Sequence, residues 1–272
     1  MLSRLQEYLQ GLSDGGIALA YSGGVDSTLL LAVLGQLRQK QHFALEALTM
    51  RTVLQDRQEM ADAGNLAKKF GVPQKIFTFN PFSADAVRHN RTDRCYHCKK
   101  AIFAQFKDYC TANGLKYLLD GTNADDLKVY RPGRKALQEL GVISPLAGLG
   151  ITKDLVRSLS AELGLPTAGK PAVPCLATRF EYNTLLSEEM IRRVADGEKI
   201  IKEMFPALGD IRLRVHKTTA RIEVSAENIP LLAAEAGHIT AGLKALGFEY
   251  ITLDLEGYRS GSFDTNLKGK EK

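Results

Sequence analysis

Apolar positions follow two rhythms over the first 170 residues. Short apolar runs at residues 17–21, 44–50, 75–79 and 117–120 have the length and β-branched or aromatic content of strands. Longer stretches between and after them carry helical spacing. Residues 28–40 are apolar on more than one face. Residues 56–70 close on Gly71 as a C-cap, with Pro73 just beyond. Residues 98–113 stop before Gly114, and 153–163 open on Thr152 as an N-cap. Strand and helix in alternation predict an α/β fold: a doubly wound parallel sheet with helices on both faces.

The rhythm breaks at Pro166, Pro171 and Pro174, a spacing that excludes regular helix and central strand. A functional loop is expected there. Beyond it, residues 187–204 read as a helix opened by Ser187. Residues 211–216 alternate, with Ile211, Leu213 and Val215 on one strand face and Arg212, Arg214 and His216 on the other. Strands at 220–224 and 250–254 enclose a helix over 229–246. The polar tail, 266–272, is expected to fray. The expected organisation is an α/β domain over 1–170, a cysteine-bearing loop over 171–186 and a smaller α+β domain over 187–272.

A chain of 272 residues, 44% hydrophobic and 25% charged, can bury one large core or two modest ones. Its net charge of +5 is spread along the chain without the dense basic stripe of a nucleic-acid binder. The N-terminus lacks a secretory signal pattern, and no run approaches the ~18 apolar residues of a membrane span. A cytoplasmic location is expected. In that compartment four cysteines do not make a disulfide framework.

The chemistry begins at Ser22-Gly23-Gly24-Val25-Asp26-Ser27, between the first strand and the first long helix. Glycines permit close backbone approach, and free amides at a helix N-terminus favour an anion. Ser22 and Ser27 add hydroxyl donors. Asp26 either orients the loop or holds Mg²⁺ on a bound pyrophosphate. The spacing is neither a Walker A loop nor a dinucleotide fingerprint. A second loop, Gly121-Thr122-Asn123-Ala124-Asp125-Asp126, follows the strand at 117–120. Ligands in open α/β sheets bind at the carboxyl ends of strands, so this loop should lie beside the first. Asp125 and Asp126 are candidate Mg²⁺ ligands or helix caps. Arg131 and Arg134 are candidate phosphate contacts. The first hexapeptide resembles the SGG-x-DS signature of the PP-loop superfamily, which includes GMP synthetases, NAD synthetases and tRNA thiolation enzymes. That resemblance implies a Rossmann-like ATP-pyrophosphatase domain, cleavage between the α- and β-phosphates, and an adenylated intermediate.

Cys95-Tyr96-His97-Cys98 has metal or redox spacing but supplies only two thiols. Cys175 stands in Pro174-Cys175-Leu176-Ala177-Thr178-Arg179-Phe180, where a nearby arginine favours thiolate. Cys110 reads as a core residue. Together with the phosphate loop, the segments 93–100, 130–133, 175–180, 212–216, 220–223 and 253–261 resemble the LarE family along nearly the whole chain, in the family's order.

That resemblance implies an ATP-dependent sulfur transferase acting on pyridinium-3,5-biscarboxylic acid mononucleotide, on the way to a nickel-pincer cofactor. It implies ATP and Mg²⁺ at 22–27, with Asp26 and Cys175 catalytic, and an adenylated substrate carboxylate displaced by sulfur. Some members sacrifice the sulfur of the cysteine matching Cys175. Others hold a [4Fe–4S] cluster on three cysteines, matching Cys95, Cys98 and Cys175, and the three-cysteine set favours that route. Lys99, Arg179, Arg212 and Arg214 become candidate substrate or phosphate contacts. Glu198 and Glu223 match acidic positions associated in the family with a secondary metal site between subunits. A homo-oligomer and a separate sulfur donor follow from the same resemblance. Competing readings are a PP-loop tRNA thiolation enzyme and a regulatory module that binds ATP without cleaving it.

Overall fold

A computed structural model of the chain describes residues 1–55, 57–128 and 131–259, with the backbone alone for 57–60. Asp56, Tyr130, Ser260, Gly261 and the expected tail at 266–272 lie outside the described residues. In chain order the elements are α1 (Leu2–Gln10), β1 (Ile17–Ala20), α2 (Val25–Lys40), β2 (Leu45–Arg51), α3 (Arg57–Lys69), β3 (Gln74–Thr78), α4 (Asp85–Arg88) and α5 (Arg94–Ala112). Then come β4 (Tyr117–Leu119), α6 (Gly133–Glu139), α7 (Pro145–Gly148), α8 (Lys153–Glu162), α9 (Glu188–Met204), β5 (Arg212–His216), β6 (Thr219–Glu223), α10 (Ile229–Ala234), α11 (Ala236–Ala245) and β7 (Tyr250–Leu253). They form two compact units. The first comprises Met1–Ala84 and Asp93–Ala172; the second comprises Asp85–Thr92 and the chain from Val173 on.

The first unit is the expected α/β fold: a four-stranded sheet in the order β3-β2-β1-β4, every pair parallel. β1 lies inside the sheet and is apolar on both faces. Ile17 and Leu19 join a core with Leu5 and Leu9 of α1, Val25 and Leu29 to Leu34 of α2, and Val156 and Leu159 of α8. Ala18 turns the other way, to Phe103, Phe106 and Cys110 of α5 and Leu137 of α6. Burial on more than one side explains why α2 lacks a polar stripe over its middle: the nine consecutive positions from Ser27 to Gly35 are buried, and Leu29 to Leu34 are fully so. Two helix starts lie earlier than the sequence reading. α2 begins at Val25, inside the phosphate loop, and α5 at Arg94, which brings both Cys95 and Cys98 into its first two turns. Thr152 caps α8 by accepting the Leu155 amide, as its sequence position implies.

In the second unit β5 and β6 form an antiparallel hairpin, and β7 adds parallel to β6 after the α10–α11 crossover. The single helix expected over 229–246 is two. The Glu235 amide bonds to Leu232 O, a tightened last turn that ends α10, and α11 starts afresh at Ala236. Helix α9 buries Ile191, Val194, Gly197, Glu198 and Ile201. Ser187 caps it, its Oγ accepting the Met190 amide at 3.2 Å. Ser187→Ala is expected to cost about 1 kcal/mol, read as a lower denaturation midpoint with an unchanged m-value. No described helix is long and apolar enough to cross a membrane.

Candidate functional site

The phosphate loop leaves β1 at Tyr21 and enters α2 at Val25. Gly23 takes φ +77°, a left-handed conformation that a side chain would strain. The loop is closed by its own serines. The Ser22 amide donates to Ser27 Oγ at 3.3 Å, the two hydroxyl oxygens are 3.2 Å apart, and Ser27 Oγ donates to Gly24 O at 3.2 Å. Gly24 is the extended N-cap residue, with no side chain to cap the helix. The first amides of a buried 16-residue helix are therefore left for an anion.

The second loop lies beside the first, as expected from the strand ends. A Cβ on Gly121 would stand 3.0 Å from the Ser27 amide nitrogen and 3.3 Å from Asp26 Cβ, so glycine is what lets the loops touch. Asn123 Nδ2 donates to Asp26 Oδ1 at 3.0 Å, and Asn123 Oδ1 accepts the Asp125 and Asp126 amides. Lys153, the first residue of α8, completes the corner. Its Nζ is 2.5 Å from Asp26 Oδ2, and its backbone amide donates to Asp125 Oδ2 at 2.8 Å. Asp26 is thus held by a lysine and an amide, which fits an orienting role for it. Asp125 also pairs with Lys128. That contact, then the Lys153 amide, holds its carboxyl below the usual carboxylate range. Asp126 accepts the Asn123 amide and pairs with Arg131 at 2.9 Å.

Sequence reasoning missed Lys153. One signal was available: a cation in the first position of a capped helix opposes the helix dipole, so something else must hold it there.

Beyond Thr122 a cleft of about 280 Å³ opens, lined among others by Leu127, Arg134, Leu137, Ser144 and Ala147. Arg134 directs Nη1 at the Leu127 carbonyl, 3.1 Å away. Below it Asp120, 5% exposed, accepts from both Thr122 Oγ1 and Ser144 Oγ at 2.5 Å. Both hydroxyl protons point at the carboxylate, so toward the cleft these oxygens act as acceptors.

All four cysteines are free thiols. Cys95 and Cys98 lie one turn apart on α5, exposed and half-buried. Around them Lys100 and Tyr96 both donate to Glu139 at 2.8 Å, and His97 pairs with Asp93. Lys99 packs its ammonium 6.0 Å from the Phe103 ring centre. Cys110 is buried in the core as expected, and burial, then the Glu46 charge, pushes its thiol up to about 11. Three thiols are a suitable donor set for a cluster in kind. Among the described residues, no three His, Cys, Asp or Glu side chains form a metal-binding group.

Cys175 belongs to the second unit, at the head of a single 3-10 turn over Leu176–Arg179, and is exposed. Three of the arginines offered as substrate or phosphate contacts are buried in this unit and paired within it. Arg179, 1% exposed, clasps Glu198 through Nε and Nη2 at 2.7 and 3.1 Å. Arg214 is also buried, with Nε on Glu223 at 2.9 Å and Nη1 on Thr178 O at 2.5 Å. Arg212 is buried, bonded to Ile211 O and stacked 5.0 Å from the Tyr258 ring centre. The alternation in β5 suggested an arginine face open to phosphates, but both faces are buried. Glu198 and Glu223 both hold arginines within the unit, Glu223 taking Arg221 as well at 2.8 Å.

Residues 1–130 match the family model of the PP-loop domain, and with the parallel sheet and the loop after β1 they define a PP-loop protein. An uncharacterized protein of Synechocystis sp. is 36% identical over 268 residues, 97% of this chain and 98% of its own. A pyridinium-3,5-bisthiocarboxylic acid mononucleotide synthase of Lactiplantibacillus plantarum is 33% identical over 252 residues, 92% of this chain and 90% of its own. An uncharacterized protein of Methanocaldococcus jannaschii is 30% identical over 244 residues, 90% and 91% of the two chains. The chain belongs to the LarE family of PP-loop proteins.

Proposed function

We propose that this protein is an ATP-dependent sulfurtransferase that makes a thiocarboxylate from a carboxylate of pyridinium-3,5-biscarboxylic acid mononucleotide. The observation that carries the reading is the phosphate loop, braced by Asn123 and Lys153 and joined to near full-length similarity with a synthase of the bisthiocarboxylate. Amides at the start of α2 would bind the pyrophosphate of ATP, and Ser22 and Ser27 would add hydroxyls. Asp26 and Asp125 would be the carboxylates that hold a Mg²⁺ ion on those phosphates. A substrate carboxylate oxygen attacks the α-phosphorus and pyrophosphate leaves. Sulfur then attacks the acyl carbon of the adenylate and AMP leaves.

For the sulfur, Cys95, Cys98 and Cys175 would be the thiolates of a [4Fe–4S] cluster, whose fourth iron can carry sulfide. A second reading is favoured by the exposed Cys175 at the head of a tightly fixed turn: its own sulfur is transferred through a thioester. Loss of the cysteine α-proton and cleavage of its Cβ–S bond then release the thiocarboxylate and leave dehydroalanine.

With the pyridinium mononucleotide, AMP and pyrophosphate should form in equal amounts with a thiocarboxylate. Turnover only with bulk tRNA would overturn the proposal. Anaerobically purified protein should carry about four irons per chain for the cluster route. Iron-free protein whose mass falls by one H₂S per turnover identifies Cys175 as the donor instead.

A further inference from the structure

We infer that Arg179, Glu198 and Arg214 are positioning residues for Cys175: a buried charge frame that fixes the backbone on both sides of the thiol. Every link lies within the second unit. Arg179 Nη1 donates to Pro174 O at 3.3 Å and to Thr178 Oγ1 at 3.0 Å, bracketing Cys175 from both sides. Thr178 closes the turn, donating from its amide and its hydroxyl to Cys175 O at 2.9 and 2.7 Å. Arg214 Nη1 donates to Thr178 O. The three carbonyls of Pro174, Cys175 and Thr178 are therefore all held by side chains or by the turn itself.

The frame is anchored in regular structure. Glu198 comes from the middle of α9, and its Oε1 also accepts the Leu213 amide of β5 at 2.9 Å. One carboxylate thus ties the helix, the strand and the cysteine turn together. Arg214 reaches diagonally across the β5–β6 hairpin to Glu223, which stands opposite Arg212 in the register. A buried Arg–Glu pair adds little net stability over well-packed apolar residues. What the polar frame provides and an apolar one cannot is directed donors to the carbonyls around Cys175. An exposed loop after a proline-rich passage would otherwise sample many conformations.

The functional consequence rests on the reading that Cys175 delivers sulfur; the structural consequence does not. Two changes test it. The paired variant Arg179→Met with Glu198→Leu removes the directed donors without leaving a lone buried charge. Thr178→Val removes the hydroxyl from the turn. Hydrogen exchange in the segment 175–180 should accelerate about tenfold in the pair and about threefold in Thr178→Val, while α9 and the first unit keep wild-type protection. Thr178→Ser should restore the slow exchange. In turnover, kcat for thiocarboxylate should fall with the KM for ATP unchanged. Unchanged exchange at 175–180 in both variants would overturn the inference. So would acceleration spread through the whole unit in both, with the buried Cys110 of the first unit serving as an alkylation control for global unfolding. If the parent protein makes no thiocarboxylate, the functional proposal fails, and the exchange data still decide the positioning role.

Discussion

Lys153→Met is expected to lower ATP-dependent pyrophosphate release by about 10²–10³, in the range seen when one charge-stabilising donor is lost from a reacting centre. The reason lies in the corner that Lys153 closes. Its ammonium pairs with Asp26, whose carboxylate otherwise stands in the first turn of the helix that would receive the pyrophosphate. A neutral side chain leaves two like charges facing each other, carboxylate and phosphate, with one cation fewer. Both side chains are partly accessible, the lysine 32% and the aspartate 19%, so solvent screens the pair and its effect on fold stability should be small. The loss should therefore appear in turnover and in calorimetric affinity for inorganic pyrophosphate, with little change in unfolding. Lys153→Arg should recover part of it. Activity within threefold of wild type in Lys153→Met would reduce the lysine to a surface partner of Asp26.

Glu223→Gln is expected to destabilise the second unit by about 3–5 kcal/mol, the cost of breaking a buried ion pair from one side. Glu223 is fully buried and accepts from Arg214 and Arg221 through separate oxygens at 2.9 and 2.8 Å. An amide in its place offers one acceptor oxygen and brings two donors to groups that need acceptors. Urea unfolding followed by a probe in the second unit measures the change. A cost under about 1 kcal/mol would mean that this carboxylate does not hold the arginines of the sheet.

The main lines of the fold were legible in local patterns. Ile17 to Ala20 is apolar at every position because helices cover both sides of the strand, and that run is visible without coordinates. Thr152 and Ser187 announced their helices because a cap is a contact between residues three apart. The phosphate loop was legible for the same reason: its glycines, hydroxyls and first helical amides lie within six consecutive residues. The neighbouring loop at 121–126 followed from a rule of sheet topology. Helix ends were less legible. α5 starts at Arg94, after Asp93, which occupies the N-cap position without a side-chain capping bond and so gives only a weak local signal.

The partners of buried charge were not legible. An alternating strand with arginines at 212 and 214 reads as one polar face and one apolar face. Nothing local says that Glu198, on a helix, and Glu223, on the next strand, meet arginines at the cysteine turn. Nor does any local pattern show that Asn90, in the short segment Asp85–Thr92, donates to the carbonyls of Phe180 and Glu181. The sequence by itself determined the parallel α/β fold and the phosphate loop, since these depend on residue type and near neighbours. Only the tertiary structure decided that Lys153 meets Asp26, 127 positions away, and that the arginines near Cys175 face glutamates. Charge pairing across a core depends on which elements pack together, and no short-range pattern encodes that.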